Sequence, residues 1–327
     1  MANCNADIKR SNDALDLSSK QSAVVGGTQG IGEAIAIRLA SLGSDVIIIG
    51  RNKELGNQVI RQMREVARDE SVQTFEFFPA DLSEISEMKR LAAVLSERCG
   101  NRGIHFLFQT QGGPPNGQWK ETVDGLEHRF AVQILSRFAL PYLLASSGTL
   151  KESVASLADP GGKTEKFDGD DLDLRKVRQS YKLGPISHIL ASARRDGVVT
   201  DAMTLEFNER FPHLKAIHLF PGIVPTKAAS NMGFPFPIPQ LSASLLPVFS
   251  FLTRESPNKF ADVRIFLAAN PVGKQLGIHF ARNTIWNPYK VVDPNAWGRV
   301  KENRAKVWAN LERMLFQTEK EGDVKSQ

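Results

Sequence analysis

The chain predicts a doubly wound α/β fold: a mostly parallel sheet of about seven strands, with helices on both faces and a helical extension at the C-terminus. Two observations carry that prediction. Gly26, Gly30 and Gly32 form a turn between two short apolar runs and open an amphipathic helix. Strand-like and helix-like segments then alternate along the chain, the pattern of parallel strands joined by crossover helices. A length of 327 residues suits one wide sheet, so one domain is expected over 21–292, with a loose polar arm over 1–20 and a helical tail over 293–327.

Taken in order, residues 23–25 are the first buried strand and 45–49 the second. Between them Ile31, Ile35, Leu39 and Leu42 share one helical face, and Gly43 stops the helix. Leu55, Val59, Met63 and Val66 mark the next helix, 73–78 a strand, 84–99 a helix and 103–108 the fourth strand. Pro114 and Pro115 stiffen a turn that is a candidate wall of a ligand pocket. A helix over 123–145 follows, with Leu126, Phe130, Ile134 and Phe138 at four-residue steps, then a fifth strand over 149–157.

Residues 158–178 are the most polar internal stretch. Asp168, Asp170, Asp171 and Asp173 lack the closing glutamate of a calcium loop, so a solvated insertion is expected and no metal site. The helix over 186–210 has a face of Ile186, Leu190, Ala193 and Gly197, and 218–220 closes the sixth strand. Prolines and aromatics over 229–252 suit a lid or substrate loop, bounded at 223–255, over an apolar small molecule. The competing explanation is a face for a second copy in a homo-oligomer, or for a membrane surface. Phe260, Val263 and Leu267 mark a helix, 277–281 a last strand, and Trp308, Leu311 and Leu315 a tail helix that frays past Glu319.

Composition narrows the classes. The chain has 41 basic and 36 acidic residues, a net charge of +5, with no dense basic run interleaved with aromatics, so no nucleic-acid partner is predicted. Cys4 and Cys99 form no CxxC motif, which points to a reducing compartment without disulfides or structural zinc. The first 21 residues lack the apolar core of a signal peptide, and no apolar run reaches membrane-spanning length. A cytoplasmic protein without stable membrane insertion is expected.

Glycines let the backbone approach a pyrophosphate while the following helix aims its open N–H groups at the charge, so the first turn reads as a dinucleotide site. The spacing of four and then two in GGTQGIG resembles that of the short-chain dehydrogenase/reductase family, and the likeness covers about residues 22–270. It implies a Rossmann-like sheet, a nicotinamide coenzyme and oxidoreductase chemistry. Gly26, Thr28, Gln29, Gly30, Ile31 and Gly32 would then hold the diphosphate. Where a coenzyme without the extra phosphate usually meets a carboxylate, the chain has Arg51 and Asn52, which favours NADPH through the planar guanidinium. Asp81 and Leu82 would serve the adenine; Thr110, Gln111 and Gly112 the ribose; Pro221, Gly222, Val224 and Thr226 the nicotinamide amide.

The catalytic half departs from the family pattern. Reduction there uses a tyrosine that protonates the alkoxide, a lysine four residues later, and a serine that orients the carbonyl. Ser156 stands near the serine position, but four residues after Tyr181 comes Pro185. Counting back from Pro221 by the family interval reaches 188–192, where His188 stands and no tyrosine does. Gln109, Thr110 and Gln111 replace the usual Asn-Asn-Ala, and Gln133 an asparagine that holds a water. The expectation is an NADP-dependent oxidoreductase with Ser156, Tyr181 and His188 as candidate catalytic groups. The alternatives are a cyclase or isomerase without a redox step, and an NADP-binding protein without turnover.

Overall fold

In the computed structural model the described residues are 2–112, 117–157, 166–181, 184–220, 256–275, 279–283, 287–290 and 296–324. In chain order the elements are α1 (Ala2–Asp13), β1 (Gln21–Val25), α2 (Gly30–Ser41), β2 (Asp45–Gly50), α3 (Lys53–Val66), β3 (Phe75–Pro79), α4 (Ile85–Cys99) and β4 (Ile104–Gln109). After a helical turn at His128–Phe130 and a π-helical turn at Ala131–Leu135 come α5 (Ser136–Ser146), β5 (Leu150–Leu157), α6 (Arg175–Tyr181), α7 (Pro185–Arg210) and β6 (Lys215–Phe220). The chain closes with α8 (Pro257–Ala269), α9 (Pro271–Gln275), β7 (His279–Asn283), β8 (Asn287–Lys290) and α10 (Lys301–Val324).

The strands form one sheet in the order β3-β2-β1-β4-β5-β6-β7-β8. Pairing is parallel from β3 through β7, and β8 adds an antiparallel edge. Alternate residues of β1 and β2 feed opposite faces, so Ala23, Val25, Ile47 and Ile49 join one core layer and Val24, Val46 and Ile48 the other. Layer one holds α4, α5, α7 and α10; layer two holds α2 and α8. Because chain order reverses on either side of β1, a crevice opens beyond the carboxyl ends of β1 and β4, where doubly wound sheets take ligands.

Four expectations need correction. Residues 1–20 contain a docked helix in place of a loose arm: Ile8 and Leu17 are buried, and Asn12 Nδ2 donates to the Asp262 carbonyl at 2.7 Å. A buried asparagine in place of an apolar residue hides that face from a hydrophobicity pattern. The helix expected over 123–145 begins only at His128, since residues 120–128 fold back on themselves through a bridge between Glu121 and Glu127. On α7 the residues Ile186 and Leu190 are 75% and 66% exposed; the inward face carries His188, Ser192, Arg195 and Val199 instead. The acids after residue 166 are also more than a solvated run, because the buried Asp171 carboxylate accepts the N–H groups of Lys176 and Val177 and so caps α6.

The tail helix docks on the body. Trp308 meets Phe138 edge-on at 4.8 Å, Arg210 lies over its ring at 4.9 Å, and Tyr142 donates to Glu312 at 2.7 Å. Among the described residues no helix is long and apolar enough to cross a membrane, and no cluster of metal-ligating side chains occurs.

Candidate functional site

The first βα turn is built for close approach by a ligand. Gly26 has φ +77°, and a Cβ there would meet the Gln111 backbone N at 2.7 Å. A Cβ on Gly32 would lie 2.2 Å from the Gly26 carbonyl oxygen and 2.5 Å from Thr110 Oγ1. These two contacts explain why the turn needs glycine: the end of β4 is drawn against the turn, where the Thr110 hydroxyl donates to the Val25 carbonyl at 2.7 Å. Gln29, the N-cap of α2, makes no side-chain capping bond, and Glu33 Oε2 accepts from Gly30 N at 3.2 Å. The first-turn N–H groups of a helix have no intrahelical partner, and such a donor set fits a diphosphate. Ile31 is buried beneath the turn, and Thr28 covers Gly50 at the end of β2, where its methyl would lie 2.7 Å from an added Cβ.

Beyond β2, Arg51 is exposed and makes no hydrogen bond or ion pair among the described residues. Asn52 has a local task, since its side chain accepts from Leu55 N at 2.9 Å and caps α3. Asp81 Oδ1 accepts from Ser83 N at 3.1 Å, shaping the turn before α4, and Leu82 is buried in the first core layer. At the end of β4, Gln111 Nε2 donates to Ser136 Oγ at 3.0 Å, and Arg137 holds the Gln111 carbonyl. Gly112 has φ +95°, and a Cβ there would sit 1.9 Å from Gln133 Oε1. Gln133 lies in the π turn, which aims its carboxamide at this corner; Gln109 Nε2, Gln111 Oε1 and Gln133 Oε1 are all buried without partners among the described residues. Three orphaned polar atoms at one strand end fit a polar ligand that completes them.

The candidate catalytic groups do not meet in one hydrogen-bonded set. Ser156 is buried and donates to Gln109 Oε1 at 2.7 Å. His188, in the first turn of α7, is buried, has both ring nitrogens without partners among the described residues, and meets Trp119 edge-on at 5.9 Å. Burial chiefly holds its pKa below the ordinary histidine value; Arg195, Arg178 and Arg129 add to this and Glu127 opposes it. Tyr181 ends α6, and its side chain lies outside the described residues, as do Pro221, Gly222, Val224, Thr226, the two-proline turn and the loop over 223–255.

What the sequence reading passed over is a buried ion network beside His188. Arg195 is fully buried: its Nε donates to Asp196 at 2.6 Å and its Nη1 to the Leu172 carbonyl at 2.9 Å, with Glu127 at 3.6 Å from Nη2. Asp196 also accepts from Arg129 at 2.5 Å. The signal was present in the Arg-Arg-Asp run at 194–196, seven residues after His188 and therefore on the same helical face. Two cations and two anions balance there, which lets the site bury a cation on the helix that lacks a lysine.

Comparison with known proteins agrees with this geometry. Residues 20–145 match the short chain dehydrogenase family. An oxidoreductase of Emericella nidulans is 28% identical over 222 residues, covering 65% of this chain and 61% of that protein, so the match spans less than two thirds of this relative's length. The human polyprenol dehydrogenase is 27% identical over 268 residues, covering 80% of this chain and 76% of that one. Among solved structures, an uncharacterized protein from Mycobacterium paratuberculosis superposes with a TM-score of 0.62 at 18% identity over 93% of this chain and 96% of its own. An actinorhodin polyketide ketoreductase with NADPH gives 0.54 at 20% identity over 83% and 97%. In its glycine turn, strand order and crevice, this chain is similar to the short chain dehydrogenase family over residues 20–145, and it shares the fold of these solved structures.

Proposed function

We propose that the protein is an NADP-dependent oxidoreductase that interconverts the alcohol and carbonyl of an apolar small molecule in the cytosol. The observation that carries the coenzyme choice is Arg51, an unpaired cation at the end of β2 where a carboxylate would repel a 2′-phosphate. Gly26, Thr28, Gln29, Gly30, Ile31 and Gly32 would hold the diphosphate, Asp81 and Leu82 the adenine, and Thr110, Gln111 and Gly112 the ribose. Pro221, Gly222, Val224 and Thr226 would flank the nicotinamide. The bound coenzyme supplies hydride exchange; the chain's own work is to orient the substrate oxygen and handle its proton.

For that proton the chain offers His188 and Tyr181, with Ser156 able to turn its hydroxyl from Gln109 to a substrate oxygen. A buried, neutral imidazole can donate one N–H to a carbonyl, or accept the proton of an alcohol through its other nitrogen. The apolar substrate is supported by the composition of 229–252 and by the relative named as a polyprenol dehydrogenase. Incubation with NADPH and a panel of apolar ketones, and with NADP and the matching alcohols, tests the reading. Coenzyme turnover supports it; turnover with NADH alone overturns the coenzyme choice.

A second reading rests on one specific observation: α7 contains neither tyrosine nor lysine. On that ground the crevice would host a cyclisation or isomerisation by shape and hydrogen bonding, or bind NADP without turnover. Product formation by coenzyme-free protein would favour the former, and stoichiometric binding without conversion the latter.

A further inference from the structure

Next to the crevice lie two basic groups, Lys120 and His128, that the preceding roles do not use. Residues 120–128 fold back, with Thr122 N donating to the Leu126 carbonyl at 2.9 Å and His128 N to the Lys120 carbonyl at 2.7 Å. The folded segment is tied to the first turn of α4, where Ile85 N donates to Asp124 Oδ2 at 2.8 Å. Ala80 N donates to the Gly50 carbonyl at 3.0 Å, so Arg51 leaves β2 beside the β3–α4 turn carrying Asp81, and the tie to Ile85 draws the segment of Lys120 and His128 to that same turn.

The charged groups around the half-buried His128 imidazole come from three elements. Lys120 and Glu127 belong to its own segment, Arg51 to the β2–α3 turn and Asp81 to the β3–α4 turn. The acids are engaged: Glu127 accepts from Arg129 N and Phe130 N at 2.8 and 2.7 Å, Asp81 from Ser83 N, and Asp124 from Ile85 N. The basic side chains are not: Lys120, Arg51 and the His128 ring make no hydrogen bond or ion pair among the described residues. Three uncommitted donors around one corner of an adenosine site lack a single partner, an anion with several acceptor oxygens.

We propose that Lys120 and His128 complete, with Arg51, the pocket for the adenosine 2′-phosphate, and that NADPH, unlike NADH, binds with uptake of a proton by His128. This rests on the NADPH reading above. In the free protein, burial first, then Lys120 and Arg51, hold the imidazole below its ordinary pKa, with Asp81 and Glu127 opposing, so its neutral form is favoured. A phosphate dianion reverses the local field and raises that pKa. By linkage, NADPH affinity then rises as pH falls through the bound-state value and levels off below the free-state one. The ribose hydroxyl of NADH brings no charge and no such slope.

Calorimetric titration of the full chain with NADPH and with NADH, at about pH 7 in two buffers of different ionisation enthalpy, measures proton uptake directly. Wild-type protein is expected to take up a fraction of a proton with NADPH and none with NADH. His128→Asn should abolish the uptake and weaken NADPH about tenfold at about pH 6.5 while leaving NADH unchanged. The phosphate's own titration is common to wild type and variant and cancels in the comparison. Equal uptake by the variant, or no uptake by wild-type protein that still prefers NADPH, overturns the role of His128. Equal or tighter binding of NADH by wild-type protein overturns the NADPH reading with it.

Discussion

Replacing Arg264 with methionine should stabilise this protein, although the arginine sits in its core. Arg264, on α8, is fully buried, and none of its three guanidinium nitrogens has a hydrogen-bond partner among the described residues. Its guanidinium lies 5.2 Å from the Phe260 ring centroid, a contact worth about 0.5–2 kcal/mol. Against that, burial and then the charge of Arg137 both disfavour the cation and push its pKa far down. A guanidinium does not surrender its proton in proteins, so the cost remains as lost stability, several kcal/mol for an unpaired buried ion. Methionine keeps the length and apolar stem without the charge, and the net gain expected is about 1–4 kcal/mol. In urea unfolding, with a slope of about 3 kcal/mol/M, the midpoint of Arg264→Met should rise by roughly 0.3–1.3 M at unchanged slope. An unchanged or lower midpoint would mean that an anion neutralises Arg264, and the desolvation argument would fail.

Gly32→Ala places a Cβ 2.2 Å from a backbone oxygen that cannot withdraw; NADPH titration should show affinity lost by more than tenfold, and melting a stability loss of about 1–3 kcal/mol. Trp308→Ala empties the contact of α10 with Phe138 and Phe207 and should cost about 3–5 kcal/mol in denaturant unfolding. If His188 handles the substrate proton, His188→Ala lowers kcat by about 10²–10⁴ with the coenzyme dissociation constant unchanged, whereas Tyr181→Phe leaves kcat intact; the opposite pattern assigns the proton to Tyr181. Lys215 is pushed down to about 8 by burial, with Lys274 adding to it. Folded and unfolded chains both keep that proton below pH about 8, and above it the folded state sheds it first, so stability rises with pH toward the ordinary lysine value. Lys215→Met should remove that rise.

The half of the molecule that carries the glycine turn was legible because its signals are backbone signals. Gly26 and Gly32 are required by main-chain contacts, and β1 and β2 are buried on both faces, so their residues form unbroken apolar runs. The same logic failed where polar residues do the packing. Asn12 docks α1 through hydrogen bonds, and the inward face of α7 is built from His188, Ser192, Arg195 and Asp196, which leaves the apolar Ile186 and Leu190 outside. A hydrophobic period therefore selected the wrong face of α7. Burying ions in balanced pairs is a tertiary property: Glu127 and Arg195 lie far apart in sequence, and only the fold brings them to 3.6 Å. The π turn at Ala131–Leu135 was equally invisible, since nothing in its composition distinguishes it from α-helix, yet it turns Gln133 toward Gly112.

Dissociation constants for NADPH and NADH, measured on the wild-type chain and on Gly32→Ala, test the central claim most directly. The account predicts one site per chain, tighter for NADPH, and lost when the glycine turn is filled. Absence of binding by the wild-type chain, or binding that survives in Gly32→Ala, would contradict a coenzyme seated at the carboxyl ends of β1 and β4.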